Sequence, residues 1–156
     1  MTQLNNAKPI QPIHILLVED NEGDIYLTTE AFESGKFYTE LSVVRDGKAA
    51  IDFLKQEGDH ANAKEPDLLL LDLNLPKRNG FEVLQFLKQD TKLMHIPVII
   101  LSTSSAERDI NKCYENHANT YITKPVDVEN LFTVISKIEN FWLSIVKLPM
   151  NKHDND

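Results

Sequence analysis

The segment Leu68–Leu73 restricts the possible folds of this chain more than any other part of its sequence. Four leucines stand side by side at 68 to 71, and Asp72 separates them from a fifth leucine at 73. A strand that faces water on one side alternates apolar and polar residues, and this run does not. An unbroken apolar run is typical of a strand covered on both faces. An acid at its end is unusual, because burying an unpaired carboxylate is costly.

The same pattern recurs along the chain, where short apolar runs alternate with segments of helical periodicity. The predicted strands are Ile13–Val18, Leu41–Val44, Leu68–Leu73, Val98–Leu101 and Thr120–Thr123. We expect Ser104 or Ser105 to cap the fourth helix and Asp127 to cap the last one. Five strand-then-helix units indicate an α/β fold with a parallel sheet covered on both faces. Right-handed crossovers then bring the carboxyl ends of all strands to one edge.

The composition indicates one globular domain without a nucleic-acid or membrane partner. The 156 residues provide room for one core, which we place at residues 12–149, between a flexible N-terminus at 1–11 and a polar tail at 150–156. The net charge of −8 argues against a phosphate-backbone partner. No apolar run approaches a membrane span, and the first residues do not resemble a secretory signal. The single cysteine, Cys113, cannot form an intramolecular disulfide, which fits a cytoplasmic location.

Charged and hydroxyl side chains stand at four of the five predicted strand ends. They are Glu19 and Asp20 after the first strand, Asp72 after the third, Ser102 after the fourth and Lys124 after the fifth. Ligands of open α/β sheets bind at this edge. Three neighbouring carboxylates favour a cation between them, and hard oxygen ligands suit Mg2+, to which the Asn74 backbone carbonyl can contribute. Metal, ammonium and hydroxyl groups together suit a phosphoryl group, with Asp72 as its acceptor.

Four motifs, in this order, resemble the receiver domain of two-component response regulators. They are VED at 18–20, LLLDLNLPKRNGFEVL at 69–84, IILSTS at 99–104 and YITKPVDVENL at 121–131. The ending IENFWLSIVKLP at 138–149 resembles, more narrowly, the single-domain regulators that partner bacterial phytochrome-type histidine kinases. The resemblance implies a flavodoxin-like (βα)5 fold with strand order 2-1-3-4-5. It also implies a phosphoacceptor signalling protein rather than an enzyme, and a sensor histidine kinase as partner.

The resemblance implies specific roles at the phosphoacceptor site. Asp72 would take the phosphoryl group from a phosphohistidine, and Lys124 would bridge that group and Asp72. Asp20 would bind Mg2+ directly, and Glu19 would act through a water molecule. The acid at 19 departs from the family pattern, where Asp is more usual, and its longer side chain would move a metal-bound water.

The resemblance also implies a switch behind the phosphoacceptor. Ser102 would bond a phosphoryl oxygen, and Tyr121 would turn inward behind it. The Lys124–Pro125 bond is commonly cis in this family. Thr103 stands where the family often has alanine or glycine, and its bulk would narrow access to an acyl phosphate.

Two other functions are compatible with parts of this pattern. A metal-dependent aspartyl phosphatase also forms an acyl phosphate, but it needs a second acid two residues after the nucleophile, where this chain has Asn74. A binding module that has lost the chemistry would not need Asp72, Lys124 and Ser102 together. Each of these residues alone has an ordinary structural explanation. Their conjunction at consecutive strand ends favours the receiver.

The last predicted helix is longer than one domain needs. Its residues from Leu131 to Ile138 are expected to pack on the sheet. Apolar residues continue through Phe141, Trp142 and Leu143, and exposed apolar surface of this size usually marks a partner contact. We therefore expect a homodimer through the face formed by the fourth helix, the fifth strand and the fifth helix. With no room for an output domain after residue 149, signals would pass by protein contact or phosphotransfer.

Overall fold

A five-stranded parallel sheet forms the centre of the chain, in a computed structural model that describes residues 11–149. The expected flexible N-terminus and polar tail therefore lie outside the described residues, apart from Gln11. The strands are β1 (Ile13–Val18), β2 (Thr39–Val44), β3 (Leu68–Leu71), β4 (Val98–Ser102) and β5 (Thr120–Thr123). Their spatial order is β2-β1-β3-β4-β5, and every neighbouring pair is parallel. The predicted strand order is confirmed.

A helix follows every strand, as a doubly wound α/β fold requires. The helices are α1 (Glu22–Glu33), α2 (Gly47–Lys55), α3 (Gly80–Gln89), α4 (Glu107–Glu115) and α5 (Val128–Asn140). A short 3-10 helix lies at Gly58–His60, and a π-helical turn follows α5 at Phe141–Ile145. Within residues 11–149, no helix has both the length and the apolar character to cross a membrane.

The central strand β3 separates two apolar clusters. Leu69 and Leu71 face the cluster that contains α2 and α3, and Leu68 and Leu70 face the cluster that contains α1 and α5. All four leucines are completely buried, and each contributes about 1.5–3 kcal/mol to folding. The strand is covered on both faces, as its lack of alternation predicts.

Side-chain caps begin four of the five helices. In each, the side-chain oxygen accepts a hydrogen bond from the backbone N–H three residues later, which satisfies a donor that the helix leaves free. The capping residues are Asn21, Asp46, Asn79 and Asp127. The predicted cap at Asp127 is confirmed.

Helix α4 begins differently from the prediction. Its N-cap is Ala106, which provides no side-chain hydrogen bond, so the predicted cap at Ser104 or Ser105 is wrong. The Ser104 hydroxyl donates instead to Asp109 Oδ2 at 2.6 Å and accepts from the Ala106 backbone N–H at 3.3 Å. The hydroxyl stabilises the turn before the helix, and the helix begins after that turn.

The C-terminal apolar segment does not continue as an α-helix. After Asn140 the backbone widens into the π-helical turn Phe141–Ile145. Trp142 and Leu143 pack against the cluster beneath α1 and α5, whereas Phe141 and Ile145 are exposed. The extension therefore divides its apolar residues between the core and the surface.

A half-buried lysine lies at the end of the sheet opposite the carboxyl ends of the strands. Lys88, in the last turn of α3, donates to the backbone carbonyls of Met94 at 3.1 Å and Ile96 at 2.8 Å. Beside it, Asn119 Oδ1 accepts from the Val98 backbone N–H at 2.8 Å. Burial lowers the pKa of Lys88. These contacts tie the end of α3 to the segments that lead into β4 and β5.

A carboxyl group is buried near the end of α5. Glu139 is only 4% exposed, and its Oε2 has no hydrogen-bond partner among the described residues. The carboxyl group lies directly over Gly35, where a Cβ atom would collide with both of its oxygens. Burial raises the pKa of Glu139. The carboxyl group therefore holds its proton to a higher pH than an exposed glutamate does.

Candidate functional site

The carboxyl ends of the strands bring the predicted site residues together. Glu19 follows β1, Asp72 follows β3, Ser102 ends β4 and Lys124 follows β5. These four polar side chains are buried, and Asp20 beside them is exposed. Buried charges are rare unless they are paired, so this edge is a polar centre with its own electrostatic balance.

One ammonium group pairs with three carboxylates. The Lys124 Nζ atom lies 2.5 Å from Glu19 Oε1, 2.9 Å from Asp24 Oδ2 and 3.2 Å from Asp72 Oδ2. Burial alone would lower the pKa of Lys124, but its hydrogen bonds to Glu19 and Asp24 and the charge of Asp72 raise that pKa above its usual value. The lysine therefore stays charged, as the neighbouring carboxylates require.

The pKa of the acid after β1 is also raised, which for a carboxyl group favours the neutral form. Burial raises the pKa of Glu19 to about 7, and the charge of Asp72 adds to this rise against the lowering effect of Lys124. The second oxygen, Oε2, accepts the backbone N–H of Asn21 at 3.1 Å. The lysine compensates only part of the negative charge that the carboxylates gather here.

Three acids of this edge have the arrangement of a metal site. One carboxylate oxygen each from Glu19, Asp20 and Asp72 lies within 4.8 Å of the other two. Oxygen ligands of this kind fit Mg2+, which also keeps water molecules in its coordination shell. The backbone N–H of Asn74 donates to Asp72 Oδ1 at 3.2 Å, which fixes the turn after β3. The Asn74 carbonyl as a further ligand stays a prediction.

The residues of the predicted switch are joined by hydrogen bonds through the loop after β4. Ser102 Oγ accepts the backbone N–H of Ser104 at 3.2 Å, and the Tyr121 hydroxyl donates to the Ser104 carbonyl at 2.7 Å. Tyr121 is half-buried, and burial raises its pKa. Its own backbone N–H donates to the Tyr114 hydroxyl at 3.0 Å. Tyr121 thus connects the loop behind Ser102 with α4.

Two further expectations concern the loops after β4 and β5, namely the isomer of the Lys124–Pro125 bond and the position of Thr103. The Lys124–Pro125 bond is trans, as are all peptide bonds of residues 11–149, so the expected cis bond is wrong. The Lys124 backbone N–H donates to the Ser102 carbonyl at 2.7 Å, so hydrogen bonding between β4 and β5 continues up to the proline in the trans form. Thr103 is exposed beside Ser102, and its effect on access to an acyl phosphate stays a prediction.

Asp24 is the site residue that sequence reasoning missed. It lies in the first turn of α1, and its side chain reaches Lys124 although it stands at no strand end. The available signal was its spacing of four residues from Asp20, since residues four apart project from the same side of a helix. That signal was weak because Asp20 precedes the helix.

Together these groups can bind a divalent cation and a phosphoryl group in one place. Carboxylate oxygens offer metal ligands, Lys124 offers a fixed positive charge, and Ser102 offers a hydroxyl next to the loop. Asp72 is the one carboxylate of the site that follows the central strand, between the acids after β1 and the lysine after β5. Such a set stabilises the charge of a phosphoryl group during its transfer.

Known proteins are similar to this chain in sequence and in structure. Residues 15–136 match the family described as the response regulator receiver domain. Response regulator Rcp1 of Synechocystis sp. is 46% identical over 138 residues, covering 88% of this chain and 94% of that protein.

Two solved structures have the same fold. The phosphorylated cyanobacterial phytochrome response regulator RcpA has a TM-score of 0.87 and 49% identity, over 90% of this chain and all of that one. The Mn(2+)-bound form of Rcp1 has a TM-score of 0.87 and 46% identity, over 89% of this chain and all of that one. From its sequence, its strand order and the residues at its sheet edge, the chain belongs to the response regulator receiver family.

Proposed function

We propose that this chain is a single-domain response regulator that accepts a phosphoryl group on Asp72 from a sensor histidine kinase, with Mg2+ at the site. The observation that carries the proposal is the contact of Lys124 Nζ with Asp72 Oδ2 at 3.2 Å, beside three acids whose oxygens lie within 4.8 Å. An acceptor carboxylate, a fixed cation and a metal site are the parts that phosphoryl transfer to an acid needs.

The transfer would exchange one bond to phosphorus for another. A carboxylate oxygen of Asp72 bonds to phosphorus while the N–P bond of the kinase phosphohistidine breaks, and the imidazole keeps the electron pair. Lys124 stabilises the charge on the phosphoryl oxygens. Mg2+ bound by Glu19, Asp20 and Asp72 would offset the negative charge that gathers there.

Ser102 and Tyr121 would then change their contacts when Asp72 carries a phosphoryl group. The Ser102 hydroxyl oxygen accepts the Ser104 N–H, and its own hydrogen would turn to donate to a phosphoryl oxygen. The loop after β4 would follow the hydroxyl group, and Tyr121 is bonded to the same loop through the Ser104 carbonyl. The charge of the phosphoryl group would thus shift the equilibrium between two conformations of the surface formed by β5 and α4.

A phytochrome-type kinase is the proposed partner, in the cytoplasm. The support is the similarity to RcpA and to Rcp1, of which the former is named as a phytochrome response regulator. The buried, single thiol of Cys113 suits a reducing compartment.

Labelling by a phosphorylated kinase tests the proposal. Wild type and Asp72→Asn are incubated with Mg2+ and a 32P-labelled phytochrome-type kinase. Stable label on the wild type and none on the variant supports a receiver. An unlabelled wild type would point to a binding module and contradict the proposal. Multiple turnover of small phosphoesters would point to the phosphatase, although the Asn74 amide cannot act as the general acid of that reaction.

We also propose self-association through α4, β5 and α5. An apolar groove of about 290 Å³ lies beside the edge strand, lined by Ile122, Val134, Ile138, Phe141 and Trp142 together with Thr120 and Lys137. Phe141, half exposed, stands at its rim. Apolar surface at a sheet edge is typical of contacts between subunits.

Sedimentation with and without beryllofluoride, a phosphoryl mimic, tests this dimer. We expect Phe141→Ser to shift the protein toward monomer, whereas Tyr38→Ser, a control at another exposed aromatic residue, leaves self-association unchanged. A wild type that stays monomeric at high concentration under both conditions would rule out the dimer.

A further inference from the structure

Asp24 shares the lysine of the phosphoacceptor site although it lies outside the row of strand ends. An ammonium group has three hydrogens, and the carboxylates of Glu19, Asp24 and Asp72 occupy all three donors of Lys124. The Nζ atom lies 2.5 and 2.9 Å from the first two and 3.2 Å from Asp72. The charge is therefore drawn toward the β1–α1 side of the site and away from the acceptor.

The backbone of Asp24 is fixed within α1. Its N–H donates to the Asn21 cap at 2.9 Å, and its carbonyl accepts the Thr28 hydroxyl at 2.7 Å. The helix therefore holds the carboxylate on its own side of the site. Lys124 must lengthen or break its bond to Asp24 in order to approach a phosphoryl group on Asp72.

We propose that Asp24 is a positioning residue that restrains Lys124 on the α1 side and thereby slows the loading of Asp72. This inference rests on the proposed function. In loading from acetyl phosphate, an Asp72 oxygen bonds to phosphorus, the P–O bond to the acetyl group breaks, and acetate leaves with the electron pair. The incoming phosphoryl group competes with the Asp24 carboxylate for the same ammonium group, so the strength of that ion pair sets part of the barrier.

Asp24→Asn tests the proposal, because it keeps the oxygen and the helix cap but removes the charge. With acetyl phosphate and Mg2+, we expect the loading rate constant to rise about five-fold, the effect of weakening one charge-assisted hydrogen bond. Asp24→Glu, which restores the charge, should return the rate toward that of the wild type. Unfolding curves of all variants show whether the fold is intact.

Glu22→Gln is the matched control. Glu22 lies in the same helical turn and loses the same charge, but it pairs with Arg45 and not with Lys124. Its loading rate should stay within about twofold of the wild type, because exposed ion pairs contribute little. An unchanged or slower rate in Asp24→Asn, or an equal rise in Glu22→Gln, overturns the inference. A wild type that loads neither from acetyl phosphate nor from the labelled kinase overturns the proposed function as well.

A spectroscopic measurement without metal or phosphoryl donor gives an independent result. In metal-free protein, Asp24→Asn should move the side-chain 15N resonance of Lys124, and Glu22→Gln should not. A Lys124 resonance that stays in place in Asp24→Asn would show that the two side chains do not interact, and would overturn the inference even if loading changes.

Discussion

Glu139 makes the stability of this protein depend on pH at a position outside the cluster of acids around Lys124. Its carboxyl group is buried with one unpartnered oxygen, and burial raises its pKa above the ordinary 4.5. The folded state therefore binds this proton more tightly than the unfolded chain does. Its contribution to stability is complete below pH 4.5 and is lost as pH rises through the raised pKa.

We expect Glu139→Gln to raise the free energy of unfolding at pH 8 by about 1 kcal/mol, because it removes a buried charge with one unpartnered oxygen. The difference from the wild type should disappear near pH 4, where both side chains are neutral. Urea unfolding across this pH range measures it, with exposed Glu33→Gln at the end of α1 as the control. A variant less stable than the wild type at pH 8 would contradict the expectation.

Individual residues also show how far sequence reasoning reaches. Asp72 and Lys124 could be placed because the topology rule fixes where strand ends meet, whatever the side chains do. Asp24 could not, since its contact depends on the rotation of α1 about its own axis, which the topology rule does not fix. The trans bond before Pro125 was also beyond the sequence, because both isomers are close in energy at proline.

The last turn of helix α3 adds polar contacts to the apolar packing of Val83, Leu84 and Leu87. The half-buried Lys88 ammonium satisfies the carbonyls of Met94 and Ile96 in the loop before β4. We expect Lys88→Met to lower the free energy of unfolding by about 1–3 kcal/mol, because two carbonyls lose a charged donor. Hydrogen exchange should quicken in this loop first.

Lys92→Met is the matched control for that element. Lys92 is exposed in the same loop, where its backbone N–H donates a hydrogen bond to Asp90 Oδ1. We expect its unfolding free energy to change by less than about 0.5 kcal/mol. Equal losses in the two variants would mean that positive charge in the loop, and not the contacts of Lys88, stabilises it.

At the level of elements, the interiors of strands and helices could be predicted and their ends less well. Apolar runs identify β3 because burial determines it. The start of α4 was harder to predict, because the Ser104 hydroxyl bonds both Asp109 and the Ala106 N–H in the turn before the helix, and the sequence pattern does not reveal these contacts. The π-helical turn at Phe141–Ile145 keeps Trp142 and Leu143 on the core, which helical periodicity alone does not reveal.

The molecule as a whole should become more stable when the acids at the carboxyl ends of its strands bind Mg2+. A ligand that binds only the folded state adds about 2.7 kcal/mol at a hundred-fold excess over its Kd. We expect Mg2+ to raise the thermal midpoint and EDTA to reverse the rise. Asp20→Asn should reduce this response, whereas Asp59→Asn, exposed on the 3-10 helix, should keep it. An equal response in both variants would place the ion elsewhere.

The hydroxyl group of Tyr114 has a consequence for the protein in a crowded cell. Among the described residues, β5 pairs only with β4, so its other side is an open sheet edge that foreign strands could extend. On this side, Tyr114 already accepts the N–H of Tyr121. A side chain of α4 thus occupies a backbone donor that an added strand would need. This hydrogen bond disfavours the pairing of foreign strands with β5, and therefore disfavours aggregation.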